Sequence, residues 1–148
     1  MNSPASSMQL TRGADYAVRI MIHLAGLPGN ERLLLPALAA VAGAPPSFLS
    51  KVLQALTRAG LIASRRGQQG GFEILPRGRE ATVLEVVEAI DGPIRLNVCL
   101  QHGASCNRKT WCPAHPVWQK AQAAMIDVLR TAKVAELSPV SSNVEIGE

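Results

Sequence analysis

The chain has 148 residues, 47% of them hydrophobic but only 3% aromatic, with 15 Lys/Arg against 11 Asp/Glu and a formal charge of +4. That length suits one domain, or a small domain with an appendage, whose core is Leu, Val, Ile and Ala and therefore favours helices. The start, MNSPASSMQ, lacks a basic stretch followed by an apolar run, and the apolar run at 33–44 is interrupted by Pro36 and falls short of the ~20 residues a bilayer needs, so a cytoplasmic protein is expected, not a secreted or membrane-spanning one.

Residues 1–8 are small and polar and read as a disordered extension. Thr11 is a candidate N-cap for a first helix in which Ala14, Ala17, Val18, Met21, Ile22 and Ala25 follow helical spacing. Asp15, Arg19 and His23, each four residues apart, mark its opposite face. A short strand is expected over Arg32–Leu35 and a short second helix over Pro36–Ala42, with proline in its first turn. A turn from Gly43 leads into a third helix that begins near Pro46. Phe48, Leu49, Val52, Leu53 and Leu56 form its apolar face, and Ser47, Ser50, Lys51, Gln54 and Arg58 its polar face. Gly60 stands where a helix C-terminal glycine belongs.

A hairpin follows, with strands Leu61–Arg66 and Phe72–Leu75 joined by Gly67-Gln68-Gln69-Gly70-Gly71. Alternation places Phe72 and Ile74 inward and Glu73 outward, and Pro76 closes the unit. Thr82 can cap a fourth helix with Val83, Val86, Val87 and Ile90 inward, which Gly92-Pro93 stops. The last helix starts near Pro116. Its Trp118, Ala121, Met125, Val128 and Ala132 recur at steps of three and four, the seam of a helix packing lengthwise on another. This divides the chain into a first unit at 9–80, a second unit at 81–137 (connector helix, a stretch holding the cysteines, and assembly helix) and a flexible tail at 138–148.

Helix, turn, helix and a basic glycine-tipped hairpin make the layout of a winged helix-turn-helix. Lys51 to Arg79 contains six Lys/Arg against one acid, Glu73, a local charge of +5. A helix face of Ser47, Ser50, Lys51, Gln54 and Arg58 can enter a major groove, with Gln, Lys and Arg on base edges and hydroxyls on phosphates. At the wing, Arg65 and Arg66 can neutralise phosphates, and the glycines of the tip, which carries Gly67, Gln68 and Gln69, let the backbone approach DNA. Arg12, at the start of the first helix, completes the candidate DNA-facing set.

Between the connector and last helices lie all three cysteines, Cys99, Cys106 and Cys112, separated by six and five residues. Thiolates are soft ligands for zinc or iron–sulfur clusters. Structural zinc uses closer pairs, and no Cys-x-x-Cys redox motif is present, so the wide spacing favours a cluster. Three cysteines leave a fourth ligand to be supplied. His115 is nearest in sequence, and Asp15 is the alternative if the first helix of a partner subunit comes close. The competing reading is a metal-free thiol switch acting through disulfide or sulfenic acid.

At these residues the sequence resembles the Rrf-two family of bacterial winged-helix regulators. The likeness rests on LTRGADYAVR, PPSFLSKVLQALTRAGLIASRRGQQGGF, ATVLEVVEAIDGP and CLQHGASCNRKTWCPAHPVW, and covers about residues 8–137. It implies a fold that is mainly α with a small β-hairpin, a winged helix-turn-helix plus a long C-terminal dimerisation helix. It also implies a homodimer on a two-fold DNA operator and a cluster ligated by Cys99, Cys106 and Cys112. His115 matches the ligand of IscR-like 2Fe–2S members, which favours that cluster. Asp15 matches the position that NsrR-like 4Fe–4S members use from the other subunit. The wing reads GQQGG where the common pattern is GPGGG, giving a more polar tip.

The expected function is a DNA-binding regulator, a repressor, whose operator binding an iron–sulfur cluster switches in response to redox state, nitric oxide or iron supply. A metal-binding adaptor is a further alternative. An enzyme is not expected. No nucleophile–base pair or paired carboxylates stand at useful spacing, and Gly67–Gly71 precedes no helix that could cradle a phosphate.

Overall fold

The computed structural model describes residues 9–29, 31–67, 70–96, 100 and 112–138. The chain begins with α1 (Arg12–Gly26). Thr11 caps it, its hydroxyl oxygen accepting from the Ala14 N–H at 3.1 Å while donating to Asp91 Oδ1 at 2.6 Å. Such a cap contributes about 1 kcal/mol. Gly13, Ala14, Ala17, Ile20, Met21 and Leu24 form its buried stripe.

Next come α2 (Leu35–Ala42) and α3 (Pro46–Arg58), joined through Gly43, whose φ of 68° turns the chain in the left-handed region. The strand expected over Arg32–Leu35 reduces to one residue. Leu33 bridges Phe72 of the hairpin, and Leu35 already belongs to α2 because Pro36 suits a helical first turn. Leu49, Val52, Leu53 and Leu56 of α3 are buried. Phe48, expected among them, is instead 44% exposed and meets Tyr16 edge to face, ring centroids 5.7 Å apart. It lies beside the stripe, where α1 offers a ring to stack on but no cavity to fill.

The hairpin pairs β1 (Ile62–Arg65) with β2 (Gly71–Ile74), antiparallel, with Ile62 opposite Ile74 and Arg65 opposite Gly71. The first strand is one residue shorter at each end than expected, and the second keeps its length but begins and ends one residue earlier. A short helix, α4 (Pro76–Arg79), follows where the sequence pattern gave only a closing proline. The Arg79 guanidinium donates to the carbonyls of Ala25 and Gly29, joining α4 to the end of α1.

Thr82 caps α5 (Val83–Asp91), accepting from the Glu85 N–H at 3.1 Å, as its sequence predicted. The last helix, α6 (His115–Thr131), contains no buried residue. Ala132, placed on the seam of this helix, lies just past its end. The chain then returns to the core. Val83 N–H donates to the Ala132 carbonyl at 2.8 Å, Val134 N–H to the Ala81 carbonyl at 3.0 Å, and Val134 in the 3-10 turn Val134–Leu137 is fully buried. Ser138, assigned to the flexible tail, is buried as well. The extension 1–8 and the rest of the tail, 139–148, lie outside the described residues.

One cluster of side chains makes the core. Ile20, Met21 and Leu24 of α1 meet Leu38 of α2, Leu49, Leu53 and Leu56 of α3, Leu61 and Ile62 of the hairpin, Val86 and Val87 of α5, and Val134. Burying each such Leu, Ile, Val or Met contributes roughly 1.5–3 kcal/mol. Reader helix and hairpin are thereby fixed to one body. Among the described residues, no helix is long and apolar enough to cross a membrane.

Candidate nucleic-acid interface and cysteine loop

The buried stripe of α3 turns its other face outward. Ser47, Lys51, Gln54 and Arg58 are exposed and Ser50 is half-buried. The helix carries no acidic side chain. Ser50 Oγ donates to the Pro46 carbonyl at 3.3 Å, so this hydroxyl is partly engaged by its own helix. A depression of about 510 Å³ runs between α3 and the hairpin, with Leu53, Gln54 and Arg58 on one side and Ser64 and Phe72 on the other. The structure thus brings the wing alongside the polar face of the reader helix. Arg12 is exposed at the start of α1.

The wing's two arginines differ. Arg66 is exposed, as is Gly67, and among the described residues Arg66 makes no ion pair. Arg65 donates from Nε to Glu73 Oε1 at 2.8 Å. Glu73, expected to face out, is only 6% exposed. It stays on the strand face opposite Phe72 but is covered there by Arg65 on one side and Arg32 (Nε to Oε2, 3.3 Å) on the other, which supply the hydrogen bonds a buried carboxylate needs. The Arg65 guanidinium, joined by Arg32, holds the Glu73 carboxyl below the usual carboxylate range against the opposing effect of burial. Arg32 gave no signal in the sequence. Glu73 did, as the lone acid of a basic segment. Gln68 and Gln69 lie outside the described residues.

Of the candidate cluster ligands, Cys112 and His115 are described. Cys112 is half-buried immediately before α6, and its carbonyl accepts from the His115 N–H at 3.2 Å. The thiol and the imidazole therefore belong to residues one helical turn apart at the start of α6. Cys99 and Cys106 lie outside the described residues. Asp15 stands on the exposed face of α1, paired with Arg19 at 3.2 Å. As a donor set, thiolates with an imidazole or a carboxylate fit an iron–sulfur cluster. One further hydrogen bond had no sequence signal: the Leu96 N–H donates to Gln122 Oε1 at 2.8 Å, tying the segment that follows α5 to α6.

Comparison with known proteins gives the same picture. The description of one family, the iron-dependent transcriptional regulators of the Rrf2 type, matches residues 10–139. Rv1287 of Mycobacterium tuberculosis, named as a helix-turn-helix-type transcriptional regulator, is 31% identical over 131 residues, covering 88% of this chain and 81% of its own length. IscR of Vibrio atlanticus is 28% identical over 142 residues, covering 95% and 81%. Among solved structures, the IscR of T. potens superposes with a TM-score of 0.72 at 21% identity, covering 97% of this chain and 96% of its own. CymR, described as the global cysteine regulator of B. subtilis, does so with a TM-score of 0.72 at 21% identity, covering 92% and 100%. With its winged reader assembled and its sequence matched along nearly its whole length, the chain belongs to the Rrf2 family of transcriptional regulators and is not an enzyme.

Proposed function

We propose that the protein is a homodimeric repressor whose binding to a two-fold DNA operator is switched by an iron–sulfur cluster. The observation that carries this reading is the position of Cys112 and His115 at the root of α6, a helix with no buried residue of its own. The thiolates of Cys99, Cys106 and Cys112 and the imidazole of His115 are the proposed ligands, which favours a 2Fe–2S cluster. Asp15 of the partner subunit is the alternative fourth ligand and would suit a 4Fe–4S cluster. When bound, the cluster supplies a centre that oxidation, nitric oxide or iron shortage can alter, changing the charge and fold of the loop.

The residues of the chain do the rest. Ser47, Ser50, Lys51, Gln54 and Arg58 meet the major groove, and Arg12, Arg66 and the wing tip at Gly67, Gln68 and Gln69 meet the backbone. Arg65 belongs to the wing but already holds Glu73. The apolar face of α6, including Trp118 and Val128, packs on a second copy. Rearrangement of the loop shifts α6 and so changes the angle between the two readers. This is coupling through an element with two arrangements.

Anaerobic purification, a visible spectrum with iron and sulfide counts, and operator binding by cluster-loaded and cluster-free protein test this. The expected result is a coloured protein whose two forms differ in affinity. Equal affinity of the two forms across salt concentrations sinks the switch while leaving DNA binding intact. A second reading, a metal-free thiol switch, draws on the likeness to CymR, one solved form of which, from Staphylococcus aureus, is described as oxidised. It requires a colourless protein, without iron even after reconstitution, whose DNA binding responds to oxidant.

A further inference from the structure

Glu73 is the one buried ionisable side chain among the described residues. Its strand, β2, is the middle of a small sheet. β1 lies on one side, and Leu33 on the other through its bridge to Phe72. Side chains alternate along strands, and directly opposed residues share a face. Ser64 opposes Phe72, and both line the depression against α3. Ala63 opposes Glu73 and Arg65 opposes Gly71, so Glu73 and Arg65 share the other face, away from the reader helix. They are diagonal neighbours there, and the 2.8 Å bond closes the diagonal.

Arg32 reaches the second carboxylate oxygen at 3.3 Å from the segment that precedes α2. Each oxygen of Glu73 thus has one arginine. Both guanidinium groups remain partly exposed, and they cover the carboxylate between them. The positive charge of Arg65 is met within the protein, while Arg66, the next residue, continues toward the tip without an ion pair to any described residue.

We propose that Glu73 is a positioning residue for DNA binding by the wing: it withholds Arg65 from phosphate, leaves Arg66 as the wing's phosphate-binding cation, and with Arg32 locks the hairpin to the approach to α2. This rests on the reading of the winged helix as the DNA-binding surface. It separates two adjacent arginines that the sequence presents as equivalent.

The salt dependence of binding to a random-sequence DNA duplex tests it, because the slope of log K against log salt falls by about 0.9 for every phosphate that the protein no longer neutralises. Arg66→Gln is expected to lower the slope by about that amount, and Arg65→Gln by far less. Glu73→Gln releases Arg65, so the slope steepens and binding at low salt tightens. Arg65→Gln placed on top of Glu73→Gln then reverses that gain. A purely structural role for Glu73 would change the melting temperature and leave the slope alone, which overturns the proposal. So does a slope lowered equally by Arg65→Gln and Arg66→Gln while wild type behaves normally. Should Glu73→Gln fail to fold, the two exposed arginine variants decide alone. A wild-type chain whose binding ignores salt overturns the DNA-binding reading itself, and this proposal with it.

Discussion

Leu33 and Phe72 exchange two backbone hydrogen bonds, Leu33 N–H to the Phe72 carbonyl at 3.1 Å and Phe72 N–H to the Leu33 carbonyl at 2.8 Å. This bridge, beside the Arg32–Glu73 pair, fastens the hairpin to the segment leading into the helix-turn-helix. Gly71 is what allows it. A Cβ there would stand 2.7 Å from the Leu33 carbonyl oxygen, and its φ of 122° is strained for any side chain. Gly71→Ala should therefore cost at least about 1–3 kcal/mol and loosen the wing. Thermal melts and DNA binding measure both effects, and an unchanged melting temperature would contradict the bridge.

Trp118 is 38% exposed and Val128 66% exposed on a helix without a buried residue. Charging this face, with Trp118→Lys and Val128→Asp together, should give monomers with little loss of fold. Light scattering reads the mass and circular dichroism the helix content. A dimer of unchanged mass would place the interface elsewhere.

Cys112→Ser should abolish the visible absorption of the purified protein. His115→Ala should shift or weaken it, and Asp15→Asn should leave it as it is. If the last two variants exchange these outcomes, the fourth ligand is Asp15 of the partner subunit.

Glu73 gives the fold an acid-sensitive ion pair. Its carboxyl titrates lower in the folded chain than in the unfolded one, because Arg65 and Arg32 stabilise the charged form. The unfolded chain therefore takes up the proton first as pH falls. The stabilisation is complete above the ordinary carboxylate range and disappears as pH drops through the lower folded value. Melting temperature followed against pH should fall more steeply for wild type than for Glu73→Gln, and parallel curves would remove Glu73 from the account.

Gln54→Ala should reduce discrimination between an operator selected from random DNA and a non-specific duplex. Removing one bidentate hydrogen-bonded pair with a base costs about 1–3 kcal/mol. Competition binding measures it, and equal weakening on both duplexes would assign Gln54 to the backbone.

The helices that position the reader were legible because their signals are local. Thr11 and Thr82 cap α1 and α5 as their sequences indicate, and the stripe of Leu49, Val52, Leu53 and Leu56 faces inward. Failures occurred where distant segments decide. Glu73 keeps the face that strand alternation assigns it, but Arg32, far off in the chain, helps to cover that face and gives its carboxylate a partner. Phe48 leaves the apolar set because Tyr16 of another helix offers its ring. Val134 and Ser138 are buried by packing that a run of small residues near the end of the chain does not announce. At the candidate site, residue types and spacing indicated the polar face of α3, which stands exposed opposite the buried stripe. The unequal state of Arg65 and Arg66 needed the register of the hairpin.

The segment that follows α5 meets α6 at Leu96, whose N–H is held by Gln122, and the chain leaves α6 through Ala132, whose carbonyl is held by Val83. A rod pinned at two points along its length resists sliding along its own axis. What such a rod can pass on is pivot and roll. In the homodimer proposed above, a change at Cys112 and His115, at the root of this rod, would reach the second copy as a swing of the two readers relative to each other, and the spacing between half-sites on DNA would be the quantity that reports it.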